Sequence, residues 1–146
     1  MHRPEIELFN DSLTCCLRSG QFFERFYELF LASSPEVRDK FRTTDIRAHR
    51  RMLQTSFYTL MEYKAFGGPE SQAGLERIAI GHGKQGRDIP PHLYDLWLEC
   101  LLRAVKECDD RYSAEVEVAW RHMMEAGITF FKSYYDRDAA GGGVPR

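Results

Sequence analysis

The chain has 146 residues, long enough for one domain with a sizeable core and short for two. A hydrophobic share of 43% beside 29% charged residues excludes a disordered chain, and a net charge of −2 gives no bias toward nucleic acid or an anionic membrane. No apolar run approaches the ~20 residues of a spanning helix, and the opening MHRPEIELFND lacks a signal-peptide core, so a cytoplasmic protein is expected.

Helical periodicity runs through nearly the whole chain, with no convincing alternating strand. Pro4 opens a first helix at a favoured early position, with Ile6, Phe9, Leu13, Cys16 and Leu17 along one stripe, and Gly20 breaks it. A second helix carries Phe22, Phe23, Phe26, Tyr27 and Phe30 and ends around Ser33. Ser34-Pro35-Glu36 is an N-cap followed by proline at the first helical position, and the short helix it starts runs into Phe41. Thr43-Thr44-Asp45 supplies caps for a longer helix through about Tyr63, with His49, Leu53, Ser56, Phe57 and Leu60 on one face. Gly67-Gly68-Pro69 ends it.

Leu75, Ile78, Ala79 and His82 then follow at i, i+3, i+4 and i+7, a short amphipathic helix whose inner face ends in histidine. Pro90-Pro91 starts the clearest helix, with Leu93, Leu96, Trp97, Cys100, Leu101, Ala104, Val105 and Cys108 on period; Asp109-Asp110 marks the turn after it. The last helix spans roughly 113–135, with Val116, Trp120, Met123, Gly127, Phe130, Phe131 and Tyr134 inward. From Asp136 onward the glycine-rich run reads as a frayed end, so the expected organisation is one domain over 1–136 and a flexible tail over 137–146. The fold class is all-α, with about seven to eight helices.

Cys15, Cys16, Cys100 and Cys108 form no CxxC pair and have no histidine at zinc spacing, so they read as reduced core thiols. Of the histidines, His2 is terminal, His92 opens a helix, and His122 lies off the apolar stripe of the last helix. His49 and His82 remain, both on inward faces of separate helices. A histidine on an apolar face is usually a core residue, and two of them on separate helices are also compatible with opposite sides of one buried object.

The segment FYELFLASSPEVRDKF, in which Tyr27 precedes Phe41 by fourteen positions, resembles the B-helix to CD corner of bacterial single-domain globins and flavohaemoglobin globin domains. The segment from Ile78 through Leu102, with His82 followed by a loop and a helix led by Tyr94, is similar to their F-to-G region, and Ala119-Trp120 matches a common pair in their last helix. The similarity extends to Tyr135. The loop from His82 to Tyr94 is longer than is usual in the group, and histidine stands at a distal position where many bacterial relatives carry glutamine.

The resemblance implies a globin fold around a pocket for haem b (iron protoporphyrin IX). It implies His82 as the proximal iron ligand, its second ring nitrogen hydrogen-bonded, with Tyr94 a candidate partner. Phe41, Leu53, Phe57, Ile78, Ile89, Tyr94 and Trp97 would contact the macrocycle, while Gly83 and Gly86 would let the backbone leave without colliding with it. Tyr27 and His49 would donate hydrogen bonds to a bound gas; in a close variant His49 itself ligates the iron. A register shifted by one residue would instead place Ala48 and Met52 at the distal positions. Arg47, Arg50, Lys84 and Arg87 are candidate propionate partners. The expected ligands are O2, CO and NO, for oxygen binding, transport, gas sensing or scavenging, with a reductase or signalling protein as a further partner and neither nucleic acid nor membrane.

Two rival functions remain open at this point. Nitric oxide dioxygenation or peroxidase-like turnover is one, and it would need a separate reductase. A haem-free helical interaction module would leave His49 and His82 as ordinary core residues. Neither a GxSxG elbow nor an HExxH motif supports hydrolysis.

Overall fold

The computed structural model describes residues 3–141; His2 and residues 142–146 of the expected tail lie outside them. Among the described residues there are seven helices and no strand: α1 (Glu5–Arg18), α2 (Phe22–Ser33), α3 (Pro35–Lys40), α4 (Ile46–Phe66), α5 (Pro69–His82), α6 (His92–Cys108) and α7 (Ala114–Gly141). None of them is long and apolar enough to cross a membrane.

Local chemistry sets most of the helix starts. Ser34 Oγ accepts from the Glu36 amide ahead of Pro35, and Asp45 accepts from the Arg47 and Ala48 amides, satisfying donors that a helix start leaves unpaired. Asp109 accepts from the Arg111 amide in the turn before α7, so this acid is a turn residue, as its position at a helix junction suggests.

Two boundaries differ from the sequence expectation. Pro69 does not merely end α4; it stands in the first turn of α5, which makes that helix a full 14 residues. At the other end, α7 runs through residues set apart as tail as far as Gly141, and Asp138 within it is buried. The stripe Trp120, Met123, Gly127, Phe131, Tyr134 continues at helical spacing onto Asp138, so the inward face outlasts the apolar residues.

The core sits where α2 packs on α6, and where α7 packs on α1, α4 and α5. α6 is buried on more of its circumference than one stripe: Tyr94, Leu98 and Leu102 are buried, while Leu96 and Trp97 are only half-buried. The reason is that α1, α2 and α7 all pack against it. Rings of Phe9, Phe22, Phe57 and Trp120 meet at one end of this core, with centroids 4.6–6.3 Å from Trp120, and the Trp120 indole N–H donates to Ser12 Oγ at 2.9 Å.

α4 and α7 approach so closely that a Cβ on Gly127 would stand 1.9 Å from Leu60 Cδ2. Leu60 is itself buried, so it has no free direction in which to turn. Gly127→Ala is therefore expected to destabilise the fold by about 1–2 kcal/mol despite alanine's better helix propensity, read as a lower urea midpoint with unchanged slope. Adding Leu60→Val shortens the colliding branch, so the double variant is expected to be more stable than the sum of the two single losses.

Candidate functional site

The face that α4 turns toward α5 and α6 is not closed by packing. It leaves a cleft of about 590 Å³, open to solvent along one edge, within the size range of small-molecule and cofactor sites. Phe41, His49 and Leu53 line one wall, Ile78 and His82 the other, and Ile89, Leu93, Tyr94 and Trp97 close the back above Ile128 and Phe131.

The register of α4 is decided by burial. Leu53 is 5% exposed and faces the cleft, whereas Met52 is 53% exposed and stands at its outer edge. His49, four residues before Leu53, projects inward with its ring 4.9 Å from that of Phe41. Its Nδ1 lies 2.6 Å from the Tyr27 hydroxyl.

Across the cleft, His82 is the last residue of α5. Its Nδ1 lies 3.1 Å from the Tyr94 hydroxyl, and its ring edges against Phe131 at 6.2 Å. This is the partner that the sequence left as a candidate. Each imidazole is thus tied through Nδ1 to a tyrosine from another helix, leaving Nε2 available.

Burial pushes the His82 imidazole down to about 4, with smaller contributions from the positive charge of Arg87 and from His49. Burial, followed by Arg87, also lowers His49. Both rings are neutral near pH 7, the form that offers a lone pair or a single N–H. Burial raises the Tyr27 and Tyr94 phenols, so both keep their protons.

Not every residue assigned to this site reaches it. Phe57 is fully buried behind the wall, packed on Phe22, Phe23, Trp97 and Trp120. Tyr27 does not line the cleft either; it sits among Phe26, Phe41 and His49 and meets the space through His49. Of four basic candidates for the rim only Arg87 lines it, together with Lys40, Arg51 and Arg77, which sequence reasoning passed over. Arg50 instead lies 4.8 Å over the Phe23 ring, and Lys84 is 3.9 Å from Asp88. Inward periodicity does not register rim residues, because they lie on exposed faces.

The glycines after His82 answer to the protein's own backbone. A Cβ on Gly86 would stand 2.3 Å from the Gly81 carbonyl oxygen, and one on Gly83 would meet Asp138 and Tyr134 at 3.0 and 3.2 Å. The loop folds back on α5: the Arg87 amide donates to Gly81, the Asp88 amide to Gly83 and the Ile89 amide to His82, each at 2.8 Å. From α7, Asp138 accepts from the Lys84 amide and the Tyr135 hydroxyl donates to Asp88. The second Asp138 carboxylate oxygen is buried with no hydrogen-bond partner among the described residues.

Away from the cleft, His92 pairs with Glu36 and His122 with Glu5 on the surface. All four cysteines are free, and burial raises the Cys16 and Cys100 thiols, consistent with inert core positions.

The chain matches a crystal structure of protein PA3967 from Pseudomonas aeruginosa PAO1, described as structurally highly homologous to a human hemoglobin. The TM-score is 0.86 at 39% sequence identity, over 90% of this chain and 98% of that one. No family model and no curated protein matches the chain.

The depressed imidazole makes the polypeptide, without any bound group, sensitive to acid. An unfolded histidine takes up its proton near 6.5 and folded His82 only near 4. The unfolded state therefore binds more protons between these values, and stability falls as pH is lowered through them. The loss expected from His82 is up to about 3 kcal/mol, complete below pH 4 and absent well above 6.5. Urea midpoints measured from pH 7.5 to 4 should show this slope, and His82→Phe should remove most of it.

Proposed function

This chain belongs to the bacterial single-domain globins, and on that premise we propose that it holds haem b in the cleft and reversibly binds O2, CO or NO there. The observation that carries the reading is a pair of neutral imidazoles on opposite walls of one apolar cleft, each tied back to a tyrosine through Nδ1. Bound haem supplies an iron atom with one position for a protein imidazole and one for a diatomic gas.

The residues present fit such a group. His82 is the proximal ligand through Nε2, and donation from Nδ1–H to Tyr94 orients the ring and supports its basicity. Phe41, Leu53, Ile78, Ile89 and Trp97 supply apolar contact, and Lys40, Arg51, Arg77 and Arg87 offer positive charge to the carboxylates at the edge of the macrocycle. A phenol oxygen is a weaker acceptor than a carboxylate, so Tyr94 gives His82 only a modest electron push. That favours binding and release over peroxidase-like turnover.

On the distal wall, His49 is the group positioned to donate to a gas that carries partial negative charge. Such a hydrogen bond contributes about 1.5–3 kcal/mol, equivalent to about 10- to 150-fold in affinity. Tyr27, whose hydroxyl meets His49 Nδ1, supports His49.

Two measurements test the reading. Purified protein should show a strong Soret band in ferric, dithionite-reduced and CO-bound forms, lost or altered in His82→Ala; no band after reconstitution with haemin would sink the assignment. In stopped-flow displacement of O2 by CO, His49→Leu should release O2 about 10- to 150-fold faster than the parent.

A further inference from the structure

The hydrogen bond between Tyr27 and His49 bears on more than pocket rigidity; the inference rests on the haem reading above. An imidazole Nδ1 bonded to a phenol admits two polarities with opposite consequences. If the phenol donates, the ring proton of neutral His49 resides on Nε2. If the ring donates from Nδ1, Nε2 keeps a lone pair and is a ready metal ligand.

Two observations select the first polarity. The Oη···Nδ1 separation is 2.6 Å, shorter than the roughly 2.7–3.2 Å typical of N–H donors and inside the roughly 2.5–3.0 Å of O–H donors. Tyr27 is also buried and off the cleft, and His49 Nδ1 is the acceptor the structure gives it. The reverse polarity would strand a buried O–H without a partner.

The proximal pair reads the other way by its separation. Its 3.1 Å separation suits an N–H donor. Two similar His–Tyr pairs therefore face each other with opposite proton placement.

We propose that Tyr27 is a positioning residue that donates to His49 Nδ1 and holds His49 as the Nε2–H tautomer, which donates to a gas ligand and cannot itself occupy the iron. Tyr27 thereby keeps the distal position open in the resting ferrous protein. His49 and His82 differ in role because of the direction of one hydrogen bond apiece.

The test compares ferrous absorption spectra of the haem-loaded parent, Tyr27→Phe and Tyr27→Phe/His49→Leu. The parent is expected to show the single broad visible band of five-coordinate iron. Tyr27→Phe is expected to show sharp, split α and β bands, as freed His49 coordinates, and the double variant to return to the single broad band. Nitrogen–proton correlation spectra of the CO-bound ferrous parent read the tautomer directly and do not depend on any variant folding. A pyridine-type Nδ1 and a pyrrole-type Nε2 on His49 are expected.

A protonated Nδ1 in the parent overturns the proposal. So does a parent already six-coordinate through His49, or a folded Tyr27→Phe protein that stays five-coordinate. Each of these is distinct from failure of the globin reading itself, in which no form would carry a Soret band.

Discussion

Everything in the cleft depends on keeping two imidazoles neutral and each committed through a single nitrogen. Burial does the first part. It disfavours the charged ring, and the positive charge of Arg87 near both works in the same direction. Tyr27 and Tyr94 do the second part, reaching from α2 and α6 to fix Nδ1 on α4 and at the end of α5. A free histidine ring would offer either nitrogen in either tautomer; these offer one. Arg87, one of the cations lining the cleft, thus helps keep both histidines uncharged.

His82 is held by more than Tyr94. Backbone bonds fold the loop after His82 onto the last turn of α5, and α7 fastens the same loop through Asp138 and Tyr135. Gly83 and Gly86 are there because carbonyl, carboxylate and ring atoms occupy the space a side chain would need. Movement of His82 would thus pull on a segment clamped by α7. The wall that carries His82 is fastened by this clamp, and the facing wall presents Phe41, His49 and Leu53.

Much of this was legible before any coordinates. Ser34-Pro35 and Asp45 mark helix starts because their side-chain chemistry is local, and the helices follow the order that periodicity and caps predict, with only the start of α5 and the end of α7 displaced. His49 and Leu53 share an inward face because a helix fixes their spacing. Harder to read were positions whose surroundings come from elsewhere in the chain. Phe57 has the right period to line the cleft, yet four rings from α2, α6 and α7 enclose it. Asp138 looks like part of a polar tail until its carboxylate is seen against the Lys84 amide.

By itself the sequence determined the order of the helices and the inward placement of both histidines, because these follow from spacing along one chain, while Tyr27, Phe41, His82 and Tyr94 carried the resemblance to the globins. Only the tertiary structure decided which residues line the cleft, which cations stand at its rim and which nitrogen of each histidine is already taken. Those depend on how α2, α4, α6 and α7 cross, and a shift of about an ångström between packed helices is enough to make or break a hydrogen bond.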